Sequence, residues 1–196
     1  MEEKKAGQSK DVAIDSKAWV YYKDGLTKFY LKFANISKLK SGKRIILKEL
    51  SIEPSTNGGC DVLSQLLRCV SEKYKIKRVF VDQYFFTSDS FKVFQKHPIE
   101  YLMPCPCNQR IKSILEICPV PCVIKDFQLQ DVFFDLIIIN HKDNEGQYIK
   151  KAFATNININ VTDPNAIKKL FSHNSIHWEI NVAFESVNNS KKHPGA

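Results

Sequence analysis

At 196 residues and 43% hydrophobic, the chain is long enough to bury one sizeable core and too apolar to be disordered. Its longest apolar block, 132–139, is interrupted by Asp135 and falls short of the roughly 18 to 20 apolar residues a membrane-spanning helix needs, so a soluble protein with no membrane partner is expected. A net charge of +8, with Lys and Arg spread along the chain, favours a polyanionic partner, nucleic acid before membrane, against the plain alternative of a solvated basic surface.

Residues 1–10 are charged and polar without an apolar stretch, and read as a tail. No secretory signal is expected, and a cytoplasmic, thiol-reducing setting follows. Residues 11–22 are β-branched and aromatic and end at Lys-Asp-Gly, a strand followed by a turn signal. Residues 27–36 alternate apolar and polar, 40–43 supply a turn, and 44–52 form another apolar-rich run. These three strands predict an antiparallel meander.

After a loop at 54–59, residues 61–75 place Val62, Leu63, Leu66, Leu67 and Val70 at helical spacing, with Asp61 as the expected N-cap. Residues 78–82 read as a short buried strand. Ser88 or Asp89 is expected to cap a helix running through Phe91 and Phe94 to Gln95, and 99–103 follow as a strand. The predicted order is thus β-β-β-α-β-α-β. Beyond Pro104, 109–117 read as a short helix, and 119–127, 132–140 and 148–160 as β-prone runs. Asp163, followed by Pro164, caps a helix in two sections, 166–171 and 175–187. Residues 189–196 form a polar tail.

Of the six cysteines, Cys105, Cys107, Cys118 and Cys122 loosely suggest a four-thiolate zinc site. The first pair is spaced Cys-x-Cys and prolines stiffen both pairs, so free buried thiols are the expectation.

Three blocks resemble the signatures of DDE-type insertion-sequence transposases. Val-Ala-Ile-Asp-Ser-Lys-Ala-Trp-Val-Tyr-Tyr (12–22) is similar to the family's first strand, with Asp15 at its first acidic position. Val-Phe-Val-Asp-Gln-Tyr-Phe-Phe (79–86) resembles the strand that ends in the second Asp, here Asp82, although the Arg-Gly-Phe that usually follows is absent. Ala-Thr-Asn (154–156) and Ile-His-Trp-Glu-Ile-Asn-Val-Ala-Phe (176–184) resemble the Thr-Asn strand and the final helix. Anchoring on Trp178, Ile180 and Phe184 puts His177 where the family has Arg and Asn181 where it has the catalytic Glu.

The resemblance spans about 12–188. It implies an α/β, ribonuclease H-like mixed sheet: a three-strand meander, then α-β-α-β, flanked by helices, with a small β-rich insertion at about 104–160 before the final helix. The corresponding domain is 11–188. It implies metal-dependent DNA strand cleavage and transfer, with Asp15 and Asp82 as ligands of Mg2+ or Mn2+ and Asn181 as a degenerate third position.

Hard divalent cations take carboxylate oxygens, and two of them neutralise the charge that develops on phosphate. Asn181 offers only a neutral carbonyl oxygen, so weak or absent activity is expected. Glu179 lies about 200° around a helix from Asn181, and Glu185 shares its face one turn on; either is a less favoured substitute. Lys38, Lys40, Lys43, Arg44, Lys77 and Arg78 are candidate contacts to the DNA backbone, each also readable as solvated surface.

The expected partner is double-stranded DNA at transposon ends, with a homodimer allowed and a cytoplasmic, nucleoid-associated location. Only 14 residues precede Asp15, so specific end recognition is doubtful and a degenerate or truncated copy is expected. The alternative is a non-catalytic nucleic-acid-binding or complex-forming protein that keeps the fold. A small-molecule enzyme finds little support, since the seven glycines form no phosphate-cradling loop.

Overall fold

The computed structural model describes residues 10–23, 27–40, 43–52, 58–142, 147–161, 163–167 and 169–171. The meander forms as expected, from β1 (Lys10–Lys23), β2 (Thr27–Lys40) and β3 (Lys43–Ile52), antiparallel throughout. Next come α1 (Gly58–Ser71), β4 (Ile76–Val81), a 3-10 turn (Gln83–Phe85), α2 (Ser88–Gln95) and β5 (Glu100–Pro104). Then α3 (Gln109–Ile117) leads to β6 (Cys122–Leu129), β7 (Val132–Lys142) and β8 (Tyr148–Thr155). All eight strands join one sheet in the order β3-β2-β1-β4-β5-β8-β7-β6. The pairs β1/β4 and β4/β5 are parallel and the others antiparallel.

Apolar clusters lie on both faces, which is why β4 and β7 carry continuous apolar runs instead of strict alternation. On one face, Val62, Leu63, Leu66, Leu67 and Val70 of α1 are all buried against Val12, Ile14, Ala34 and Ile36. Each such side chain contributes roughly 1.5 to 3 kcal/mol. An aromatic group continues that face under α2: Phe91 stacks on Phe134 with ring centres 4.4 Å apart, and Phe94 on Tyr101 at 4.8 Å. The smaller cluster on the other face joins Ala13, Phe80, Leu102, Ile137 and Phe153 to Ile167, Leu170 and Phe171, so 163–171 packs there.

Several boundaries differ from expectation. The helix α1 begins at Gly58, in the stretch read as loop, so Asp61 lies in its first turn and is not the cap. First-turn N–H groups have no intrahelical partner, so glycines are tolerated there. The same helix ends at Ser71 rather than 75. Thr87, not Ser88 or Asp89, caps α2, its hydroxyl accepting from Ser90 N at 3.2 Å. The strand read from 119 starts at Cys122, since Pro119 and Pro121 have no N–H to donate.

At the other end, β8 stops at Thr155 instead of 160, because side chains replace the ladder there. Thr155 Oγ1 donates to the Tyr101 carbonyl, the Tyr101 N–H donates to Asn156 Oδ1 at 2.8 Å, and Asn156 Nδ2 donates to the Ile99 carbonyl at 2.9 Å. Asp163 caps 164–167 as expected, its carboxylate accepting from Asn165 N. The expected second helical section, 175–187, lies outside the described residues.

Candidate functional site

Parallel pairing of β1 with β4 runs from Lys10↔Ile76 to Ile14↔Val81, and Asp82 N then donates to the Ile14 carbonyl at 2.8 Å. Asp15 and Asp82 therefore occupy neighbouring positions where β4 ends. By strand alternation Asp15 shares the face of Ala13, the face on which 163–171 packs. It is 1% exposed. A carboxylate withdrawn from water to that degree is expensive and must be met by donors or cations.

The carboxylate of Asp82 is partly exposed and turned toward β1. If the parallel ladder continued, Ser16 N–H would donate to the Asp82 carbonyl. It donates instead to Asp82 Oδ2, at 3.1 Å, and Ser16 Oγ donates to the same oxygen at 2.8 Å. Tyr84 N donates to Oδ1 at 3.3 Å, which makes Asp82 the cap of the 3-10 turn. Since Ser16 N is bonded to the Asp15 carbonyl carbon, covalent geometry holds the Asp15 and Asp82 carboxyl groups within about 9 Å of one another.

Asp15 faces Asn35 on β2, and Asn35 faces Glu49 on β3. A row of oxygen-bearing residues, Asp82, Asp15, Asn35 and Glu49, thus runs from the end of β4 across β1, β2 and β3. Asn35 is 2% exposed. Neither it nor Ser16 was singled out from the sequence. Ser16 was adjacent to the signal, whereas Asn35 becomes visible only once the β1/β2 register is known.

Two hard carboxylates side by side match the donor preference of Mg2+ or Mn2+. Among the described residues, no three of His, Cys, Asp and Glu gather as a metal cluster. The expected third position, Asn181, lies outside the described residues, as do Glu179 and Glu185.

The candidate cationic residues lie elsewhere. Lys38 stands opposite Val12 and Ile45, and Lys40 opposite Lys43 where the β2–β3 hairpin closes; the side chains of Lys40, Lys43 and Arg44 lie outside the described residues. Lys77 is exposed near the start of β4. Arg78 is engaged by the protein itself: its Nη2 and Nε donate to Glu100 Oε2 at 2.7 and 3.0 Å, and Nη1 lies 4.0 Å from Asp11. Arg78 clamps β4 to its two neighbours, about 13 Å along the strand from Asp82. The structure does not bring this basic group to the acidic pair.

The six cysteines are free, and none is fully buried; Cys107 is exposed. Burial pushes the Cys105 thiol up strongly, opposed by a backbone hydrogen bond from Ala154. It also raises Cys122, with smaller contributions from the charge and hydrogen bond of the neighbouring Cys118. A cavity of about 370 Å³ between α1 and α2, lined by Cys60, Asp61, Asp89, Lys92 and His97 among others, opens on the face away from Asp15. Its Lys92 already pairs with Asp89 and Asp131.

No protein-family model matches the chain, and no curated protein sequence matches it. Among solved structures, the piggyBac transposase in its synaptic complex with hairpin DNA is similar, with a TM-score of 0.52 and 12% identity over 84% of this chain and 38% of that one. The fold is ribonuclease H-like. This α/β, ribonuclease H-like chain spans 38% of the piggyBac transposase's length. The NurA nuclease from Sulfolobus solfataricus aligns with a TM-score of 0.49 and 9% identity, over 96% of this chain and 87% of that one. The Drosophila P element transposase in its strand transfer complex aligns with a TM-score of 0.26 and 17% identity, over 51% and 23%.

Proposed function

We propose that the chain is the catalytic domain of a DDE-type, insertion-sequence transposase, a degenerate copy with weak or no strand-cleavage activity. The observation that carries this reading is the adjacency of Asp15 and Asp82, brought together from distant parts of the sequence at the end of a parallel pair. Bound Mg2+ or Mn2+ would neutralise charge developing on the phosphate oxygens. Asp15 and Asp82 would hold the cations, and Asn181, with its neutral oxygen, would leave the site one negative charge short. The substrate in this reading is double-stranded DNA at transposon ends, engaged by a domain of about 11–188 acting as a homodimer on the nucleoid.

Nicking of supercoiled plasmid tests it. The full chain should nick slowly or not at all with Mg2+, and Asn181→Glu should increase nicking in a way that Asp15→Ala abolishes. No gain from Asn181→Glu, with the protein folded and DNA bound, would count against the proposal.

A second reading is favoured by the capping hydrogen bonds at Asp82: a non-catalytic nucleic-acid-binding protein in which that carboxylate serves the turn. DNA binding that weakens steeply with salt, without cleavage in any variant, would support it.

A further inference from the structure

We infer that Ser16 is a positioning residue for the Asp82 carboxylate, fixing which of its oxygens a divalent cation can use; this rests on the metal-dependent reading above. A carboxylate has two oxygens and about four lone-pair sites. Oδ2 accepts from both Ser16 N–H and Ser16 Oγ–H, at 3.1 and 2.8 Å, which occupies both of its sites. Among the described residues, Oδ1 accepts only from Tyr84 N, at 3.3 Å, and so keeps a site for a cation.

The shortest of these bonds, a hydroxyl donating to a carboxylate, is of the stronger, charge-assisted kind. It is also the one donor of the three that belongs to a side chain, so substitution removes it without touching the main chain. The two remaining donors lie on different elements, β1 and the turn after β4. Without the hydroxyl, the carboxylate is held by two longer bonds and gains freedom about its terminal torsion. Cation capture must then pay for ordering that Ser16 supplies in advance. Partners that orient metal ligands typically change affinity by about 10- to 100-fold when removed.

The test is a titration of the full chain with Mn2+ alone, followed by paramagnetic resonance, on wild type, Ser16→Ala, Ser16→Cys and Ser16→Thr. Ser16→Ala should bind about tenfold more weakly. Ser16→Cys, nearly isosteric but a weak donor, should behave likewise, and Ser16→Thr, which keeps the hydroxyl, should stay within about twofold of wild type. Thermal unfolding in chelator identifies any variant that is simply unfolded; if Ser16→Ala is, Ser16→Cys decides. A purely structural Ser16 would lower stability in chelator and leave Mn2+ affinity unchanged, which overturns the inference while the proposed function stands. Wild type that binds no Mn2+ overturns both, through the proposed function.

Discussion

Asn156 completes the seam between the parallel centre of the sheet and its antiparallel β8-β7-β6 side, and replacing it should cost more than its surface position suggests. The β5/β8 pairing has three registered residue pairs, Leu102↔Thr155, Met103↔Ala154 and Pro104↔Phe153. Beyond them, the Asn156 amide occupies the main-chain N–H of Tyr101 and the carbonyl of Ile99, both residues being buried. Asn156→Ala leaves one donor and one acceptor without that partner. At about 1 to 3 kcal/mol for each unsatisfied buried group, reduced because Asn156 itself is exposed and water can reach part of the gap, the loss is about 2 to 3 kcal/mol. For a chain of this size that corresponds to a Tm lower by about 5 to 10 °C. Asn156→Asp keeps the acceptor but sets a carboxylate against the Ile99 carbonyl, and should be at least as damaging at neutral pH. Urea unfolding followed by circular dichroism measures both. A loss under about 0.5 kcal/mol for Asn156→Ala, within the range of ordinary surface changes, would refute the role assigned to the amide.

Two further outcomes follow from the core. Phe134 packs against Phe86, Phe91 and Phe127, so Phe134→Ala should destabilise by about 3 to 5 kcal/mol in the same assay, and a value below about 1.5 would mean this aromatic group is not a packed unit. Burial pushes the Tyr101 phenol well above its ordinary value, with Asp135 and Cys105 adding to the shift, and burial does the same to the Cys105 thiol. Both groups then hold protons in the folded state that the unfolded chain releases near their ordinary values of about 10 and 8.5. Their stabilising contribution is complete at lower pH and declines as pH rises above about 8.5 to 10. The urea midpoint should fall across that range, and Tyr101→Phe should remove part of the slope; an identical slope in the variant would count against the cause.

The meander and the buried stripe of α1 were legible because local periodicity alone specifies them. Asp163 was legible as a cap because Pro164 follows it. Caps at Thr87 and the start of α1 at Gly58 were not, since Thr87, Ser88 and Asp89 are equally able to accept and only the backbone path chooses among them. The intramolecular pairing of Arg78, a candidate DNA contact, was not legible, because a sequence shows a cation without its partners. Glu100 and Asp11 become its neighbours only through the registers β4/β5 and β1/β4. Asn35 and Ser16 were missed for the same reason: each matters through what lies across a strand boundary. Asp15 and Asp82 emerged only from the resemblance of their ordered blocks, since a single Asp at a strand end is ordinarily a turn residue.

Parallel pairing has an outcome for when the acidic pair exists at all. β4 reaches β1 only after the chain has passed through β2, β3 and α1, so closing that ladder is a long-range, entropically slow step, whereas the hairpins on either side are local. A half-assembled molecule that keeps the meander carries Asp15 with no Asp82 beside it. Any divalent ion that needs both would thus distinguish the finished protein from its precursors, and its grip would report how much of the population has completed folding.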